Sequence, residues 1–124
     1  MENVSVESAK GWRDIASYNL AGVYKILDPC RRIHNFQAKE FKRVFELDLR
    51  DINESDVILV NLCDPAIAKH GTAMEVFYAN YVLRKPVVAF KDDPSVKHPF
   101  FEQLVTTWVS NIHDACEILQ NEYL

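Results

Sequence analysis

Several things are scarce in this 124-residue sequence, and each scarcity closes off a class of function. It has no apolar run approaching the roughly 18 residues that a membrane-spanning helix needs. It has no excess of positive charge: the formal net charge is −4, which argues against a nucleic-acid polymer as partner, because phosphate contacts need a basic surface. A single small anion stays compatible, since a few local donors suffice to hold it. Cysteine is limited to Cys30, Cys63 and Cys116, with no C-x-x-C spacing. An odd, scattered set reads as reduced thiols rather than as a disulfide framework or zinc site, and no metal is expected. The opening "MENVSVESAK" lacks a basic region followed by an apolar stretch, so it does not read as a secretory signal, and a cytoplasmic location is expected. No internal repeat, low-complexity tract or Gly/Ser linker interrupts the chain, which is expected to form one domain over residues 1–124.

What is present is an alternation of helical and strand-like patterns. A helix is expected from about Val6 to Ala21, with Ser5 as N-cap and Gly22 as stop. "VYKIL" (Val23–Leu27) reads as a short strand ended by Asp-Pro, and a second helix runs from about Phe36 to Asn53. "DVILVNL" (Asp56–Leu62) is the nearly continuous apolar run of a strand buried on both faces. A third helix covers about Thr72–Arg84 and a strand follows at Pro86–Phe90. A loop with two prolines, "KDDPSVKHPFF", leads to a strand at Leu104–Val109 and a closing helix, "HDACEILQNEY". Such alternation specifies an α/β fold, a three-layer open parallel sheet of about four strands with helices on both faces. Ligands bind such sheets beyond the C-terminal strand ends, and three of those four ends carry Asp-Pro turns.

Two carboxylates occupy unusual positions. On the second helix, Phe41, Val44, Phe45, Leu49 and Ile52 fall on one stripe with Asp48 in its middle. A carboxylate on a core-facing stripe is costly unless it is paired or lines a cavity. Asp48 therefore either bonds a buried amide or arginine, or serves as a cleft carboxylate able to exchange protons near neutral pH. Glu75 stands in "TAME", the S/T-x-x-E pattern of a capping box with Thr72, and on spacing alone that is the better reading. The same helix, however, starts at the rim where ligands bind, which would present Glu75 to a substrate, with Gly71 permitting close backbone approach.

Read in order, Asp48, "ESDVILVNL", "GTAMEVFYA" and "KPV" resemble the nucleoside 2-deoxyribosyltransferase family, including related nucleoside 5′-monophosphate N-glycosidases. "GWR" (Gly11–Arg13), "LDPCRR" and "HPFF" are similar to pieces of the smaller members, so the resemblance spans nearly the whole chain. It implies a flavodoxin- or Rossmann-like sheet, Glu75 as nucleophile and Asp48 as the proton-handling or substrate-orienting aspartate. The bond between deoxyribose and base would break through an oxocarbenium-like transition state and a covalent deoxyribosyl-glutamate, resolved by a second base or by water. No cofactor is implied; the partner would be a small nucleoside or nucleotide, and a homo-oligomer is expected. Asn61 and Asp64, at a strand end, are candidates for sugar hydroxyls, although Asp64 before Pro65 equally suits a turn. Arg31 and Arg32 are candidates for a 5′-phosphate or for plain solvation, and His98 for the pocket wall.

The sequence departs from that family at its start. Members usually open with a strand and a glycine-containing loop, whereas this sequence starts at the stretch after that loop. The strand so omitted would lie in mid-sheet, and three explanations stay open: a natural start upstream of this sequence, a closed-up sheet or neighbouring subunit that fills the gap, or a module that has lost catalysis and kept a nucleotide-sized pocket.

Overall fold

A computed structural model of the protein describes residues 6–27, 41–63 and 70–123. Its elements, in chain order, are α1 (Val6–Leu20), α2 (Phe41–Glu54), β1 (Ile58–Asn61), α3 (His70–Phe77), β2 (Val87–Phe90), α4 (Pro99–Leu104), β3 (Thr107–Val109) and α5 (Ile112–Glu122). The strands form one parallel sheet in the order β1-β2-β3, with Ile58 opposite Val87 and Val88 opposite Thr107.

Alternation along β2 assigns the layers. All four of its residues are buried, and successive side chains point to opposite faces. Val88 and Phe90 join Ala16 and Leu20 of α1 and Ile112, Ala115, Cys116 and Leu119 of α5. Val87 and Ala89 join Ile52 of α2, Val76 of α3 and Phe101 of α4. Helices therefore cover both faces of a parallel sheet, the α/β architecture that the alternating pattern specifies.

Local chemistry sets the element ends. Asn111 caps α5 by accepting the amide of Asp114 at 2.8 Å. α3 runs directly into a π-helical turn, Tyr78–Val82, in which the Leu83 amide donates to the Tyr78 carbonyl. That turn closes on Arg84, whose φ of 59° is left-handed. It delivers Lys85 to the end of α2, where Nζ donates to the carbonyls of Ile52 and Asn53, a cation at a helix C-terminus.

Four expectations are corrected. Val23–Leu27 is not a strand: Tyr24 instead anchors on α5, its hydroxyl donating to the Leu119 carbonyl at 2.7 Å. Among the described residues no strand lies beside it to pair with; β1 has a single strand neighbour, β2. The sheet thus has three described strands rather than about four. The proline-containing loop holds α4, because His98 caps it and Pro99 occupies the first turn. α4 takes up Leu104, so β3 is confined to Thr107–Val109. Finally, the apolar stripe of α2 is only half used: Phe41 and Phe45 are 60% and 59% exposed, and burial is reached at Asp51 and Ile52. Among the described residues, no helix is long and apolar enough to cross a membrane.

Candidate active site

A cavity of about 600 Å³ opens along the edge of β1 that no described strand pairs. Val23–Leu27 and Ile58–Asn61 line it, together with residues of α1 and α5 from one helix layer and of α2 and α3 from the other. Its volume is in the range of a small-molecule site. Both singled-out carboxylates line it, Asp48 from α2 and Glu75 from α3, as do Asn61 and Thr72.

The capping alternative for Glu75 fails on geometry. α3 already includes His70, so Thr72 is an internal helical residue and cannot act as N-cap. Glu75 sits instead half-buried on the cavity wall. Burial, reinforced by the negative charge of Asp48, pushes its pKa up to about 7, with Arg13 acting in the opposite direction. A carboxyl poised there exchanges its proton at neutral pH, and two carboxylates lining one hollow are a pairing suited to acid–base chemistry.

Asn61 ends β1, and its side-chain oxygen accepts the Cys63 amide at 3.0 Å, which shapes the turn leaving the strand. Burial pushes the Cys63 thiol up, away from the reactive thiolate. Two candidates are not brought to the cavity. His98 is used as the cap of α4, accepting the Phe100 amide through Nδ1 at 3.3 Å and packing on Phe101. Gly71 is exposed and does not line the cavity, and a Cβ there would meet no protein atom within 4 Å. Arg31, Arg32 and Asp64 lie outside the described residues.

Two lining residues escaped sequence reasoning. Asp51, 4% exposed, stands three positions after Asp48 and so shares its helix face; that spacing was the available signal. Arg13 of α1 reaches the cavity from the other helix layer. Its distance in sequence from Asp48 and Glu75 left nothing by which spacing could connect them. Among the described residues, no three His, Cys, Asp or Glu side chains are grouped to hold a metal.

The fold is similar to that of a 2-deoxyribosyltransferase from the psychrotolerant bacterium Bacillus psychrosaccharolyticus, with a TM-score of 0.73 over 90% of this chain and 82% of that one, at 20% identity. No family model matches the sequence, and no curated protein matches it significantly. The likeness is one of fold.

Proposed function

We propose that this protein cleaves or transfers the N-glycosidic bond of 2′-deoxynucleosides or their 5′-monophosphates. The observation that carries the reading is the joint placement of Asp48 and Glu75 on one nucleoside-sized cavity, in the fold of a deoxyribosyltransferase. In this reading the Glu75 carboxylate attacks the anomeric carbon of the sugar, forming an ester as the carbon–nitrogen bond breaks. The departing base takes up a proton, with Asp48 as donor or as the group that orients the base. An incoming base then displaces Glu75 and restores a nucleoside; water in its place gives the free sugar and makes the reaction a hydrolysis. Asn61 and Thr72 line the cavity, which supports them as candidates for bonding sugar hydroxyls.

One observation bears on the substrate. Among the described lining residues, Asp48, Asp51, Glu54, Asp56 and Glu75 face only Arg13 and Lys25. This described part of the wall favours the nucleoside over its dianionic monophosphate; Arg31 and Arg32, the candidates for a 5′-phosphate, lie outside the described residues. The cavity alone would equally serve a module that binds a nucleoside without turning it over.

Incubation with a deoxynucleoside and a free acceptor base, followed by chromatography, tests the proposal. Exchange of bases is expected, and Glu75→Ala should lower it by on the order of 10³-fold or more. Release of base without exchange identifies the hydrolase. Saturable binding with neither product would overturn the catalytic reading in favour of the binding module.

A further inference from the structure

We propose that Arg13 is a positioning residue that holds the Glu75 side chain in its ionised, attack-ready form from the opposite helix layer. The inference rests on Glu75 as the nucleophile. α1 belongs to the layer packed on Val88 and Phe90, whereas α3 belongs to the layer packed on Val87 and Ala89. Beside β2 a strand stands between those layers. Beyond the edge of β1 away from β2 no described strand does, and Arg13 and Glu75 line the same hollow.

Arg13 is braced for the task. The Trp12 ring meets the ring of Phe90, at the end of β2, edge-on at 5.4 Å, which fixes this part of α1 at the C-terminal rim of the sheet. The Arg13 guanidinium lies over that same Trp12 ring at 4.5 Å, a cation–π contact that limits its freedom. An arginine keeps its charge at every working pH.

The surroundings of Glu75 explain why such a charge matters. From α2, Asp48 disfavours a second negative charge on Glu75, and Asp51, Glu54 and Asp56 line the same cavity. Lys25, in the segment after α1, is exposed and solvated. Arg13 is half-buried, and it opposes the effects of burial and of Asp48 on Glu75. Without it the balance at Glu75 would shift further toward the neutral acid.

The test follows the Glu75 carboxyl directly, by carbon-13 NMR titration of the glutamate-labelled protein, with the signal assigned by its loss in Glu75→Gln. Arg13→Gln is expected to raise the midpoint by on the order of one pH unit. The acid limb of kcat/KM for deoxynucleoside cleavage should move with it, giving about a tenfold loss below the midpoint and little change well above it. Arg13→Lys keeps the charge and should hold the midpoint near the original, even if its flexible stem changes KM. An unmoved midpoint in Arg13→Gln, or equal midpoints in the Lys and Gln variants, would overturn the inference. A midpoint that moves in a protein showing no cleavage would leave the Arg13–Glu75 coupling standing and remove only the glycosyl-transfer reading.

Discussion

β1 and β2 are neighbouring parallel strands of four residues each, "ILVN" and "VVAF", and the molecule treats them differently. β2 is paired on both edges and buried throughout, with three of its residues at 0% exposure. β1 is paired on one edge only among the described residues, is half-buried at every position, and looks into the cavity. Carboxylates gather along β1 and not along β2. Where packing is complete, a charge is kept only when its partners are built in; where the strand layer is open, charges from α1, α2 and α3 share a space that water and a ligand can enter. The same contrast separates stability from chemistry, and it can be broken by mutation.

The largest expected effect on stability belongs to Glu75 itself. Its pKa rises from 4.5 to about 7 on folding, so the folded state holds the proton more tightly than the unfolded chain does. The resulting contribution to stability is fully present below about pH 4.5 and is lost as pH rises through about 7. Above that, an ionised Glu75 is a standing cost. Glu75→Gln should therefore gain stability relative to the parent protein between those limits and level off at no more than about 3 kcal/mol. Urea denaturation at several pH values measures this; a difference that is the same at both ends of the range would mean that Glu75 is not desolvated.

A smaller effect separates the two strands. Val88→Ala removes two methyl groups from a fully buried site and should cost on the order of 2 kcal/mol, with KM unchanged in the folded fraction. Val60→Ala, on the half-buried cavity wall, should cost about half as much and raise KM for the nucleoside. Equal losses of stability would erase the distinction between a packing strand and a site strand.

Much of this division was legible in the sequence. The apolar runs around Leu59 and Val88 and the helical stretches between them specified a layered parallel sheet, and Asp48 marked a polar break in an apolar stripe. Other features depended on tertiary placement. "VYKIL" has the composition of a strand, but a strand also needs a neighbour, and Tyr24 found α5 instead. Thr72 and Glu75 have the spacing of a capping box, which lapses because α3 starts before them. His98 looked like a pocket residue and is a helix cap, since a side chain ahead of Pro99 is well placed to receive a free amide. Arg13 was missed because a site built across layers leaves no local pattern, whereas Asp51 shares a helix face with Asp48 and was overlooked despite that spacing.

Lys91 gives the smallest effect and the sharpest control, because it is a charge on the closed side of the sheet. It directly follows β2 and is 7% exposed, yet its ammonium is fully engaged. Nζ donates to the Val96 carbonyl at 3.0 Å and to the Glu102 carboxylate at 3.3 Å, and lies 4.1 Å from the centre of the Trp108 ring. These contacts tie the loop after β2 to α4 and β3, and none of the groups involved lines the cavity. Glu102 is partly exposed, so water can solvate it once the lysine is gone. Lys91→Met keeps most of the buried stem and should cost only about 1 kcal/mol, well below the penalty of stranding a fully buried partner. Cleavage of a deoxynucleoside and the acid limb of its pH profile should both stay as they are. A shifted limb would show that the two sides of the sheet are electrostatically coupled, and the contrast between a structural charge and a chemical one would no longer follow the strand on which each sits.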